Sequence, residues 1–553
     1  MSTNSELGEL FRQIADLLDL AGERFKPEAY RRAARSIDAL PEDIRKFAQR
    51  GELDSIPGVG PAISEKIQEF LRSGKIEYYE RQRREFPPGI LDLMRLSGIG
   101  PKTARRFWVE LGVEGPQELA AAIEAGRLTG VKGFGARKID LVRTALAAAA
   151  STARRMPLAE AYELAERIVG ALRQSAPIDQ IAVAGSLRRR RENIGDLDLL
   201  VTSTEAEKVF DAFTALPERR ETKLRGPTKE TIVLDNGVQV DLRVLEPRSF
   251  GAALQYFTGS KDHNVHLRSI ARDRGLRINE YAVTRGEERL GGATEEEVYA
   301  TLGLPVIPAE IRENQGEIEA AMRGTLPNLV DEAGLQGDLH VHLDGTEEGP
   351  PLERLATSVR ERRWRYLGVV VPSDGRSTLK VAALVGTLRK LLPGDTRVLI
   401  GREVDSLEVS APDRGPGAPD YFLLRAPDGG APPGPAAAPV PHPLMAVVHL
   451  ATGPPGGFSD PSRTGPWVEW AHRAGVALEV TAQGAADGLD SATVRRVVEL
   501  GGSLHLSVGP AIEGPGTLAV GLARRGWATA RTIVNARGID EVLRGPASGR
   551  TPA

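Results

Sequence analysis

The run GSLRRRRENIGDLDLLV at 185–201 constrains this chain more than any other stretch. Asp196 and Asp198 stand two residues apart ahead of Leu-Leu-Val, so on a strand both carboxylates leave one face while hydrocarbon packs behind. A third acid, Asp241 in VQVDLRVL, falls on a later strand able to lie alongside. Three carboxylates meeting at a sheet can hold two divalent cations about 3.5–4 Å apart, one activating a hydroxyl and the other stabilising phosphate and the leaving oxygen. Mg²⁺ accepts carboxylate, water and phosphate oxygens without a dedicated cage. That suits a chain with no Cys, which also excludes disulfides, thiolate metal sites and a Cys nucleophile. Gly185-Ser186, eleven residues ahead of Asp196, with Arg188 and Arg189 following, can cradle a triphosphate through backbone amides, a hydroxyl and guanidinium forks.

Three further fragments share one design: IPGVGPAISEKI (56–67), LSGIGPKTARRFW (96–108) and VKGFGARKIDLV (131–142). In each, an apolar residue leads into Gly-x-Gly (Gly58 and Gly60, Gly98 and Gly100, Gly133 and Gly135), and a helix follows. The glycines permit a tight turn and a close backbone approach, and the amides opening the next helix attract an anion. A DNA phosphate satisfies that geometry without reading sequence. Lys102, Arg105 and Arg106 add phosphate-directed charge to the second copy. With a formal net charge of -3, nucleic-acid binding must come from such local features, not from a globally basic field.

At 553 residues the chain is several times a domain of roughly 150, so three to five domains are expected. Leu7, Leu10, Phe11, Ile14, Leu17 and Leu18, then Tyr30, Ala33, Ile37 and Leu40, recur at helical spacing. From about 178 the pattern turns to short β-rich runs (IAVAG, LDLLV, TIVL, VQVDLRVL) with helices between. The expected domains are 1–80 and 81–153, both helical; 154–246 and 247–330, α+β; and 337–553, α/β. Within the last, the Pro/Gly/Ala segment at 426–443 is too poor in large apolar residues to pack and is expected to be a mobile loop. No apolar run approaches the ~18 residues that cross a bilayer. The N-terminus MSTNSELGELFRQ lacks a signal-peptide pattern, so a cytoplasmic location is expected.

Residues 1 to about 330 resemble a family X DNA polymerase of the bacterial and archaeal kind that carries a C-terminal PHP domain. The resemblance rests on the hairpins, the Gly-Ser…Asp-x-Asp signature, the third Asp, and the block LQYFTGSKDHNVHLRSIA (254–271) followed by LRINEY (276–281). It implies helix-hairpin-helix N-terminal domains, a polymerase beta-like nucleotidyltransferase palm with a mixed sheet, and a PHP-like α/β barrel. It also implies two Mg²⁺ ions, with Mn²⁺ as a substitute, on Asp196, Asp198 and Asp241, and a monovalent cation at the hairpin turns. Gly185, Ser186 and Arg189 would hold the β- and γ-phosphates; Tyr256, Phe257 and Gly259 would line the sugar; Asn264 would reach the base edge and Arg268 the templating side. Adjacent rings at 256 and 257 agree with this, since they make a rigid wall that a 2′-hydroxyl would strike. Substrates would be deoxynucleoside triphosphates and gapped or primer-template DNA, handled by a monomer in base-excision-type repair.

Lys66 matches the Schiff-base lysine of relatives with deoxyribose-phosphate lyase activity, and Tyr30 and Lys26 match their phosphate pocket. A second family lysine is Ala62 here, which favours simple phosphate contact by Lys66 over lyase chemistry. GDLHVHLDG (337–345) is similar to the opening of a PHP metal site at His340 and His342, with Glu403 and His449 as further matches. Gly375, Pro427, Val508 and Pro510 stand where that family places metal ligands and have no donor side chain, so loss of 3′–5′ exonuclease activity is expected. Two other readings remain: a DNA-end scaffold without catalysis, and a nucleotidyltransferase acting on RNA ends, antibiotics or proteins, which the tandem hairpins disfavour.

Overall fold

A computed structural model of the chain describes residues 3–23, 26–38, 40, 44–73, 75–96, 99–128, 135, 138–140, 142–143, 146, 155–342, 350–371, 378–404, 419–426, 432, 446–450, 461–481, 489–507, 516–538, 540 and 542. Gly98, Gly133, Gly375, Pro427, Val508, Pro510 and nearly all of 426–443 lie outside the described residues. The chain divides into two units, residues 1–155 and 156–553.

The first unit is helical. The helix Thr3–Ala21 buries Leu7, Phe11, Ile14, Leu17 and Leu18 against Tyr30, Ala33 and Ile37 of the helix Lys26–Asp38, the amphipathic pairing the periodicity requires. One core continues across residue 80 to Phe107, Leu119 and Val142, and Tyr79 donates its hydroxyl to Gln13 at 2.6 Å. At the first hairpin Gly58 has φ +85, and the helix Pro61–Ser73 starts just beyond. At the second, Gly100 caps the helix Pro101–Leu111. Proline suits the opening position of both helices because its missing N–H would have no partner inside the helix.

The second unit is built on two sheets that position its chemistry. The helix Leu158–Ser175 buries Leu158, Ala161, Leu164, Ala165, Ile168, Val169 and Leu172 along one stripe. It belongs to the same core as a five-stranded mixed sheet of order Gln180–Val183, Asp196–Thr202, Gln239–Leu245, Lys229–Leu234 and Arg219–Arg225. The second and third of these strands run parallel and the other neighbours antiparallel. Strand Gln239–Leu245 alternates strictly, with Val240, Leu242 and Val244 buried, which leaves Gln239, Asp241 and Arg243 on the opposite face. Residues 250–322 follow as a helical segment with a small antiparallel sheet of strands 277–278, 283–285 and 288–291, around Leu267, Val298, Tyr299 and Ile318.

Residues 337–507 form a seven-stranded parallel sheet in strictly sequential order, beginning at Gly337–His342 and ending at Ser503–Ser507. Its second strand, Tyr366–Val371, is buried throughout, as a parallel strand covered on both faces must be. The expected barrel is corrected in one respect: among the described residues no backbone ladder pairs the first strand with the last. Side chains bridge them instead. The Asn535 amide donates to Gly337 O (2.9 Å) and Leu506 O (2.8 Å) and accepts from Leu506 N–H (3.0 Å), while Leu339 N–H donates to His505 Nε2 (3.1 Å).

Candidate active site

The carboxylates gather where the two parallel strands of the mixed sheet run side by side. Asp198 is the direct cross-strand partner of Asp241, and Asp196 lies two residues along the same face. Burial, then the charges of Asp196 and Asp241, push the Asp198 carboxyl up to about 7, with Arg243 and Lys229 opposing. Asp241 is held by three donors: Lys229 Nζ at 2.7 Å, Thr231 Oγ1 at 2.7 Å and Gln239 Nε2 at 3.3 Å. The sequence reading missed Lys229 and Thr231. KETIVL shows no polar/apolar alternation that could have marked them; in the strand, residues 229 and 231 share a face, with Thr231 directly opposite Asp241.

Gly185 fixes the approach of the next element. Its φ is +62, and a Cβ there would sit 2.3 Å from Asp198 Oδ2. Ala184 N–H donates to Asp198 O at 2.8 Å, locking the turn against the acidic strand. Only a residue without a side chain fits. The short helix Gly185–Arg188 therefore emerges beside the carboxylates, carries Ser186 and is capped by Arg189.

The arginines of this loop are already engaged. Arg188 forks onto Glu295 (2.6 and 2.9 Å) and donates to Thr258 Oγ1 at 2.7 Å. Glu295 also pairs with the fully buried Arg312 at 2.5 Å; burial would raise its carboxyl, but Arg188 and Arg312 outweigh that and hold it at about 2. Arg189 donates to Glu313 Oε1 at 2.9 Å and to Thr258 O, joining the loop to the 254–271 block.

Within that block Tyr256 and Phe257 are half-buried and meet edge to face at 5.1 Å, and the Arg243 guanidinium lies 4.3 Å over the Phe257 ring. Gly259 ends the helix Phe250–Thr258 with φ +71. Asn264 turns inward: it accepts from Gln255 Nε2 and donates to Tyr256 O, both at 2.7 Å, so here it steadies the aromatic pair. Arg268 is exposed one turn further along its helix.

Elsewhere the expected residues stand in different settings. In the first unit Lys66 donates to Ala62 O at 3.0 Å and lies 5.0 Å over the Tyr78 ring, which stacks on Tyr30 at 6.2 Å. Lys26 is exposed and pairs with Glu23. Gly60, Gly100 and Gly135 accept from the amides that open their helices, Lys102 and Arg105 are exposed, and Arg106 pairs with Glu110. In the seven-stranded sheet His340 contacts Glu479 (2.5 Å) through Nδ1 and His342 (2.7 Å) through Nε2. Burial would lower its pKa, but Glu479, Asp338 and Glu403 outweigh this and raise it. His449 lies on strand Ala446–Leu450; its side chain is outside the described residues.

Among the described residues no three His, Cys, Asp or Glu side chains are grouped tightly enough to hold a metal as they stand. The chemistry of the donors nevertheless fits a hard divalent cation: oxygen-only ligands on one sheet face, with one carboxyl raised by burial and then by its acidic neighbours.

The DNA polymerase beta palm family matches residues 155–236 and the DNA polymerase beta thumb family residues 253–313. A helix-hairpin-helix domain family matches 2–76 and a SAM-like helix-hairpin-helix tandem family 90–148. The chain is 33% identical over 378 residues to the DNA polymerase/3′-5′ exonuclease PolX of Bacillus subtilis (strain 168), covering 68% of this chain and 65% of that protein. Together these matches support a family X DNA polymerase. It is also 26% identical over 338 residues to DNA polymerase lambda of Rattus norvegicus, covering 55% of each chain. To the DNA-directed DNA/RNA polymerase mu of Homo sapiens it is 25% identical over 364 residues, 56% of this chain and 69% of that one. The match thus spans less than two thirds of the Bacillus and rat relatives' own lengths. The palm match contains Asp196, Asp198 and the 185–191 loop, and the thumb match contains the 254–271 block and Glu313.

Proposed function

We propose that this chain is a DNA-directed DNA polymerase that fills short gaps during repair, acting as a monomer in the cytoplasm on gapped or primer-template DNA and deoxynucleoside triphosphates. The observation that carries this reading is Asp198 paired across strands with Asp241 and raised to about 7 beside Asp196. The bond formed joins the primer 3′-oxygen to the α-phosphorus, and the α–β bridge breaks to release pyrophosphate. Two Mg²⁺ or Mn²⁺ ions held by Asp196, Asp198 and Asp241 would neutralise phosphate charge and ease loss of the hydroxyl proton. For Asp241 to serve, it must exchange its Lys229 contact, which leaves an ammonium free beside the reacting phosphates. Ser186 and Arg189 offer a hydroxyl and a guanidinium to the leaving polyphosphate. Tyr256 and Phe257, steadied by Asn264 and Arg243, form the wall beside the sugar. The hairpins grip duplex phosphates, and their turns would take a monovalent cation. The C-terminal sheet, PHP-like but without donor side chains at Gly375, Pro427, Val508 and Pro510, contributes no exonuclease.

The test is single-nucleotide addition to a gapped, 5′-phosphorylated duplex with Mg²⁺ or Mn²⁺, the template base being varied. The expected result is addition dictated by the template. Absence of incorporation with either metal would favour a DNA-end scaffold, and addition indifferent to DNA a different nucleotidyltransferase.

A further inference from the structure

The phosphate loop is held from outside the match to the palm and thumb families. Arg525, at the end of the helix Gly516–Arg525 that packs on the seven-stranded sheet, is 8% exposed. Its Nη1 donates to Glu313 Oε1 at 2.8 Å, to Arg189 O at 3.2 Å and to Glu310 O at 3.5 Å. That same Glu313 oxygen accepts from Arg189 Nε at 2.9 Å, and Arg191 approaches the other oxygen at 3.6 Å. One carboxylate is therefore shared by three cations. Burial would raise Glu313, but Arg525, Arg189 and Arg191 outweigh it and hold it at about 2. The surrounding contacts point the same way. A Cβ on Gly521 would lie 2.6 Å from Arg190 Cγ, so the helix backbone rests on that side chain. Glu192 accepts from Ser491 N–H at 2.8 Å, and Arg524 pairs with Glu310 at 2.8 Å.

We propose that Arg525 is a positioning residue for nucleotide binding, so that the C-terminal domain sets the affinity of the polymerase site for its triphosphate. The inference rests on the polymerase reading above. With Arg525 present, Glu313 divides its charge among three cations and Arg189 keeps donor capacity for a polyphosphate. Without it, Glu313 draws the Arg189 guanidinium to itself and the Arg189 carbonyl loses a charged donor, inside a site where such contacts are poorly screened.

The test is steady-state gap filling and equilibrium binding of a non-hydrolysable deoxynucleotide analogue, using the full chain on gapped DNA, for wild type, Arg525→Ala, Arg525→Lys and Arg525→Ala/Glu313→Gln. Arg525→Ala is expected to raise KM and the analogue's Kd five- to tenfold, with kcat within twofold and DNA affinity unchanged. Arg525→Lys should restore part of the loss. The double variant should return KM to within about twofold of wild type, because the competing carboxylate charge is gone. A brace without electrostatic effect predicts instead parallel losses of Tm and kcat that the double variant deepens; that outcome, or an unchanged KM in a folded Arg525→Ala protein, overturns the proposal alone. A wild type that neither extends DNA nor binds the analogue overturns the polymerase reading and the proposal together.

Discussion

At the scale of single residues, charge decides the site. Asp198 is the clearest case, because its folded-state pKa of about 7 stands above the ordinary carboxylate value of 3.8. The folded protein then binds a proton that the unfolded chain has released between those values. Stability without metal is therefore highest, as far as this group is concerned, below about pH 4, and falls as pH rises through 7. Asp198→Asn should raise Tm relative to wild type at pH 8 in chelator, by an amount equivalent to about 4 kcal/mol, and the gain should vanish near pH 4. Thermal scans across that range check it; an Asn variant less stable than wild type at pH 8 would refute it. Mg²⁺ should bind more tightly at pH 8 than at pH 6, since it competes with the proton on that carboxyl. Gly185→Ala places a methyl 2.3 Å from Asp198 Oδ2 at φ +62, so it should cost about 1–3 kcal/mol and reduce nucleotide addition at least tenfold. A melting curve and a gap-filling rate read both effects.

At the scale of elements, the parts set by local pattern were legible and the parts set by distant partners were not. Asp-x-Asp ahead of Leu-Leu-Val announced one face of a strand, and the alternation of VQVDLRVL announced another. The fold pairs them in parallel with Asp198 opposite Asp241, a register that neither run encodes by itself. Gly-x-Gly ahead of a helix was equally plain at Gly58–Pro61 and Gly100–Pro101. The inward turn of Asn264 was not, because its partner Gln255 lies on the preceding helix and only the angle between the two helices brings them together. Nor was the commitment of Arg188 to Glu295, 107 residues away. In the first unit the Lys66 nitrogen is engaged by the Ala62 carbonyl and the Tyr78 ring face, contacts it would have to give up to attack an aldehyde. Borohydride should trap no adduct between the protein and a 5′-deoxyribose-phosphate end; a trapped species lost in Lys66→Ala would show lyase chemistry instead.

At the scale of the whole molecule, the seven-stranded sheet was foreseeable as an α/β domain from YLGVVV, RVLIG and VALEV, but the side-chain link between its first and last strands was not. Asn535 joins the first and last strands through three hydrogen bonds, an arrangement no periodicity encodes. The position of His340 between Glu479 and His342 binds that residue into the sheet's own polar network. We expect no removal of 3′ nucleotides by the wild type with Mg²⁺ or Mn²⁺. Digestion by wild type that disappears in His340→Ala/His342→Ala would contradict this. Among the described residues no helix is long and apolar enough to cross a membrane.

The most direct measurement is the single-turnover rate of nucleotide addition by Asp241→Asn on gapped DNA, with the DNA dissociation constant measured alongside. Removing one of the three carboxylates should slow addition by about a thousandfold or more while DNA binding stays within twofold. Addition within tenfold of the wild-type rate would show that the chemistry does not run through these carboxylates.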